Sequence, residues 1–159
     1  MSAAPIEGKP IDILLVEDNE GDIFLTRKVF EKAQIKNTIT VAEDGEKAIE
    51  LLKGAADRPD IILLDINLPK KDGKQVLEEI KSDPSLRAIP VVILTSSQAE
   101  KDILESYDLH ANSYIIKPVT LENFGEVAAV VENFWFGVVA LPSHPGASKT
   151  QDKQREDAA

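Results

Sequence analysis

The stretch DIILLD, Asp60–Asp65, with the following INLPKKDG, Ile66–Gly73, decides the fold. Ile61, Ile62, Leu63 and Leu64 run without polar alternation, the pattern of a strand buried on both faces of a parallel sheet. Asp65 ends that run, although aspartate is a poor strand residue and costly to bury alone. Its charge at the strand end needs a partner. Outward from this segment the same texture recurs in IDILLV (Ile11–Val16), PVVILTS (Pro90–Ser96) and SYIIKP (Ser113–Pro118), with a weaker strand near Thr38–Val41. Helical patterns fall between them at Glu20–Ala33, Gly45–Leu52, Gly73–Ser82, Ala99–Tyr107 and from Thr120 to near Phe136. Alternating strands and helices predict an α/β fold, a doubly wound five-stranded parallel sheet with five helices.

On a helical wheel, Ile23, Leu25, Thr26, Val29, Phe30 and Ala33 share the predicted core face of the first helix, while Phe24 sits among its charges. The last helix has its stripe at Leu121, Phe124, Val127, Ala128, Val131 and Trp135.

Composition narrows the function classes. The chain has 159 residues, no cysteine and a formal net charge of −10. Disulfides and thiolate metal sites are excluded. From Ser143 onward, Lys149, Lys153 and Arg155 balance Asp152, Glu156 and Asp157, so the acidic excess lies in residues 1–142. Such a surface repels nucleic acid, and none is expected as a partner. The N-terminal MSAAPIEGKP has no apolar core of a signal peptide, and FWFGVVAL (Phe134–Leu141) is too short to span a bilayer. A cytoplasmic protein without a membrane contact is expected.

In an open parallel sheet, ligands bind outside the carboxyl ends of the strands. Those ends carry Glu17 and Asp18, Asp65, Thr95 and Ser96, and Lys117. Crowded carboxylates raise one another's pKa unless a cation neutralises them, and an all-oxygen set suits Mg2+ or Mn2+. A metal at Asp65 answers its need for a partner.

The segments LLVEDN, IILLDINLP…DG, VVILTSS and YIIKP, in this order, resemble the receiver domain of two-component response regulators over residues 9–136. The resemblance implies a flavodoxin-like sheet of order 2-1-3-4-5 and a signalling protein whose only catalysis is self-phosphorylation and autodephosphorylation. It implies that Asp65 accepts a phosphoryl group from a histidine kinase in a Mg2+-dependent reaction. Asp18 and Asp65 would ligate Mg2+ directly, Glu17 through a water, and Asn67 by its backbone carbonyl. Lys117 would contact the phosphoryl oxygens, Thr95 would bond them after transfer, and Tyr114 would swing inward as the readout. Lys117-Pro118 resembles the cis peptide of that family.

Rival readings are weaker. EDNEGD after the first strand offers carboxylates where a flavin phosphate site needs hydroxyls and glycines. Asn67 stands where a dehalogenase-type phosphatase needs a second aspartate as general acid. His110 and His144 form no pair, His110 being expected on the surface. A receiver-like scaffold that acts by protein binding alone, and an enzyme acting on small phosphorylated metabolites, stay as alternatives.

Residues 1–8 are expected to be a flexible N-terminus, 137–142 an apolar extension and 143–159 a disordered tail. ENFWFGVVALP is similar to the end of single-domain receivers that partner bacterial phytochromes, which suggests a phytochrome kinase. Phe134, Trp135, Phe136, Val138 and Val139 carry more apolar area than one core face needs, which points to a homodimer interface.

Overall fold

The computed structural model describes residues 10–54, 58–107 and 109–130. Five strands, β1 (Ile11–Val16), β2 (Asn37–Ala42), β3 (Ile61–Asp65), β4 (Val91–Thr95) and β5 (Ser113–Ile116), form one sheet in the order β2-β1-β3-β4-β5. All four pairings are parallel. The helices are α1 (Glu20–Lys32), α2 (Gly45–Gly54), α3 (Gly73–Ser82), α4 (Gln98–Ser106) and α5 (Phe124–Ala128).

The period-2 alternation of each central strand sorts its side chains into two cores. Ile11, Ile13 and Leu15 of β1, Ile61 and Leu63 of β3, and Val92 and Leu94 of β4 meet α1 and α5 on one face. Leu14 and Val16, Ile62 and Leu64, and Val91 and Ile93 meet α2, α3 and α4 on the other. Phe30 of α1 and Phe124 of α5 lock the first core by an edge-to-face contact, with centroids 5.0 Å apart. Edge strand β2 leaves Thr38 and Thr40 exposed, which explains its weaker apolar signal.

Two expectations about helix faces need correction. Leu25 is 43% exposed, since α1 packs through Thr26, Val29, Phe30 and Ala33 and leaves Leu25 at the rim beside exposed Phe24. Burying Thr26 costs little, because its hydroxyl donates to the Asp22 carbonyl at 2.8 Å. Leu121 is 48% exposed in the turn before α5, so the described helix starts at Phe124 rather than at Thr120. The predicted continuation to Phe136 lies outside the described residues, as do Phe134, Trp135, Phe136, Val138 and Val139.

The loop leaving β3 is pinned at its far end. Asp72 caps α3 by accepting from the Gln75 amide at 3.0 Å, and the Gln75 side chain accepts from the Asp72 amide at 3.1 Å. The Gly73 amide donates to the Ile66 carbonyl at 3.1 Å, so the helix start folds back onto the strand end. A Cβ on Gly73 would lie 2.6 Å from the Asp65 carbonyl oxygen and 2.6 Å from the Ile66 Cα. Alanine ordinarily stabilises a helix relative to glycine. Here it must push the backbone of the acidic strand end aside, so Gly73→Ala should cost about 1–3 kcal/mol, the usual range for overpacking. Gly54→Ala, at a position with nothing near the new methyl, should be neutral or stabilising. Urea denaturation of both variants checks the contrast.

Candidate functional site

Strand order brings the site together. With β1 and β3 adjacent, Glu17 and Asp18 emerge beside Asp65 at the carboxyl edge of the sheet. Carboxylate oxygens of Glu17, Asp18 and Asp65 lie within 4.8 Å of one another. Glu17 and Asp65 are each about 1% exposed, while Asp18 faces solvent. Backbone donors hold the two buried groups in place. The Asn19 amide donates to Glu17 Oε2 at 3.1 Å, and the Asn67 amide donates to Asp65 Oδ1 at 3.0 Å.

Lys117 enters from the loop after β5, where its amide donates to the Thr95 carbonyl at 2.7 Å and a cis bond joins it to Pro118. Its Nζ lies 3.1 Å from Asp65 Oδ2, 3.3 Å from Glu17 Oε1 and 3.1 Å from Asp22 Oδ2. Burial by itself pushes the pKa of this ammonium down. Its contacts with Asp22, Asp65 and Glu17 reverse that and hold its pKa well above the ordinary lysine value.

One ammonium does not balance the four carboxylates around it. Glu17 registers the excess: desolvation first, then the charge of Asp65, pushes its carboxyl from the ordinary range up to about 7. Three convergent carboxylates with no nitrogen or sulfur donor among them are a ligand set for a hard divalent cation, which fits Mg2+ or Mn2+.

The predicted residues divide into those the fold gathers and those it holds nearby. Glu17, Asp18, Asp65 and Lys117 converge. Asn67 lies two residues after Asp65, with its side-chain amide turned to Glu100 Oε2 at 3.1 Å. Thr95 is fully buried at the end of β4, but its hydroxyl donates to the Ser97 carbonyl at 3.1 Å. Ser97 caps α4, its Oγ accepting from the Glu100 amide at 3.1 Å. Tyr114 is half-buried and packs against the second core. His110 is exposed, as expected, in a left-handed conformation with φ of 67°. Two functional neighbours had escaped the sequence reading, Asp22 and Glu100. Asp22 lies in the first turn of α1, four residues after Asp18, a spacing that could have flagged it.

A model of the response regulator receiver domain matches residues 13–129, most of the chain. The chain belongs to the receiver family. Its relatives in that family include response regulator Rcp1 of Synechocystis, 42% identical over 84% of this chain and 95% of Rcp1. Among solved structures, the bacteriophytochrome response regulator AtBRR is 40% identical with a TM-score of 0.74, covering 80% of this chain and 96% of its own. The phosphorylated cyanobacterial phytochrome response regulator RcpA is 44% identical with a TM-score of 0.66, covering 85% of this chain and all of its own. Rcp1 has itself been solved in a Mn(2+)-bound form, with a TM-score of 0.64 to this receiver. The flavodoxin-like order 2-1-3-4-5 expected from the sequence is the order found. No helix among the described residues is long and apolar enough to cross a membrane.

The raised Glu17 carboxyl sets the pH dependence of the metal-free receiver. Between about 4.5, its ordinary value, and about 7, the folded protein keeps a proton that the unfolded chain has released. Stability contributed by that proton is complete below the window and is lost as pH rises through it. The melting temperature in EDTA should therefore fall across this window, and Glu17→Gln should flatten the fall. An equally steep fall in the variant would place the titrating group elsewhere.

Proposed function

We propose that this receiver accepts a phosphoryl group on Asp65 from a histidine kinase and transmits the change through its surface to partner proteins or along a phosphorelay. The observation that carries this reading is Asp65, a buried carboxylate beside Glu17 and Asp18 with Lys117 Nζ at 3.1 Å. Asp65 acts as nucleophile: its oxygen forms a bond to phosphorus while the bond from phosphorus to the donor imidazole breaks and its electron pair stays on nitrogen. Lys117 moves with its positive charge from the carboxylate to the transferred oxygens and neutralises them. Thr95, one strand over, exchanges its bond to the Ser97 carbonyl for one to the new group, and Tyr114 follows into the space vacated.

Asp18 and Asp65 would hold Mg2+ directly, with Glu17 acting through a water and Asn67 through its carbonyl. When bound, the ion would supply positive charge beyond that of Lys117. With a cation bound, Glu17 would be ionised, because the charge that disfavours its ionised form would be balanced. The phytochrome-type relatives and the similarity of the C-terminal segment favour a phytochrome kinase as donor. The boundaries 9–136 for the receiver, and a homodimer built on Phe134, Trp135, Phe136, Val138 and Val139, remain readings of the sequence. They rest on residues beyond those described.

Incubation with acetyl phosphate and Mg2+ should add one hydroxylamine-labile phosphate per chain, and Asp65→Asn should add none. Lys117→Ala should slow the labelling by about 100-fold or more, the size of effect found on removing one preorganised charge-stabilising donor. Intact-mass spectrometry reads both. Undiminished labelling of Asp65→Asn would defeat the assignment, and phosphotransfer from a panel of purified kinases would identify the donor.

A further inference from the structure

Glu100, in the first turn of α4, has no place in the chemistry described above, yet it holds three donors at the edge of the pocket. Its Oε1 accepts from the Ser96 amide at 2.9 Å and from the Ser96 hydroxyl at 3.2 Å. Its two oxygens also accept from the Asn67 side-chain amide at 3.3 and 3.1 Å. An acidic residue three positions after a serine N-cap ordinarily turns back to the amide of the cap itself. Here the bond goes one residue further, to Ser96, and a second reaches across to the neighbouring loop. The carboxylate thus ties the β4–α4 loop to the β3–α3 loop, on the flanks of Thr95 and Asp65.

Its electrostatics agree with that placement. Partial burial pushes the Glu100 carboxyl up, but donors from Ser96 and Asn67 and the charge of Lys117 outweigh it and hold the group below the ordinary glutamate value. Glu100 therefore sits ionised within the field of the same ammonium that serves Asp65. A phosphoryl group on Asp65 is a second anion seeking the same positive groups. The Ser96 amide and hydroxyl directly follow Thr95, and the Asn67 side-chain amide belongs to a residue two positions after Asp65. While Glu100 holds them, and while Thr95 donates to the Ser97 carbonyl, this side of the pocket is turned away from Asp65.

We propose that Glu100 is a positioning residue that latches the β4–α4 loop in the resting arrangement and opposes phosphoryl binding by competing, as an anion, for its donors. The inference rests on the phospho-acceptor reading of Asp65. It acts through charge: glutamine at this position can still accept from the Ser96 amide, but it neither repels an anion nor makes charge-assisted bonds.

Titration of the full chain with beryllofluoride in Mg2+, followed by NMR at the Ser96 and Asn67 amides, tests it. Glu100→Gln should bind the phosphoryl mimic about tenfold more tightly, the difference between charge-assisted and neutral bonds to the same donors. Glu100→Ala should bind it at least as tightly as the glutamine variant. Unchanged or weakened binding in both overturns the latch, including the case where melting temperatures fall and reveal a purely structural role for the side chain. Should either variant fail to fold, the wild-type protein still decides. The Glu100 carboxyl carbon and Ser96 amide resonances should both shift as beryllofluoride binds, and an unmoved pair overturns the proposal. No binding of the mimic by the wild type would sink the Asp65 reading itself, whereas binding with equal affinity by wild type and variants sinks only the latch.

Discussion

The structure depends on one unfavourable act, the burial of Glu17 and Asp65 side by side at the ends of adjacent strands. Two carboxylates taken out of water repel each other and lose their hydration, a cost that runs to several kcal/mol per ion in protein interiors. Nothing in the apolar cores on either side of the sheet can offset that locally. Lys117 does so in part, which is why the loop after β5 must end where it does. The remainder falls on protons or on a divalent cation, and burial first, then the charge of Asp65, pushes the Glu17 carboxyl up. The same imbalance suits the pocket's all-oxygen carboxylate set to a divalent cation.

Much of this was legible along the chain because parallel strands buried on both faces leave little choice for polar groups. Asp65, Glu17 and Lys117 interrupt apolar runs at their carboxyl ends, so pattern alone places them on one edge of the sheet. The five strands, the five helices and their order followed from the same alternation and from the resemblance built on those motifs. What was missed belongs to tertiary contact. Leu25 has the periodicity of a core residue, yet among the described residues it stays 43% exposed. Leu121 fits a helical stripe, but Asn123 and Thr120 exchange bonds that close a turn there, at 2.8 and 3.2 Å, and delay the helix to Phe124.

Asp22 and Glu100 escaped for a related reason. Each sits in the first turn of a helix, where an acidic residue is expected simply as a favourable partner of the helix dipole. Their roles depend on what faces them, Lys117 in one case and Ser96 with Asn67 in the other. Neither facing group lies near enough in sequence for local pattern to reveal the pairing, except that Ser96 precedes the cap that Glu100 would ordinarily close.

The two loops that flank Asp65 differ in how they are held, and that difference directs where a new charge can be felt. The loop after β3 is fixed by shape: the start of α3 lies so close to the Asp65 and Ile66 backbone that a single methyl would collide, and a reciprocal cap locks its far end. The loop after β4 is held by polar bonds, from Thr95 to Ser97 and from Ser96 to Glu100. Steric fit cannot be exchanged for anything, but hydrogen bonds can be traded for others of equal or greater strength. On the phospho-acceptor reading, an anion at Asp65 would leave the β3 side in place and repartner the β4 side, which adjoins α4 and β5, where Tyr114 lies half-buried against the second core. Rigidity on one side of the acid pair is what gives the other side a direction in which to move.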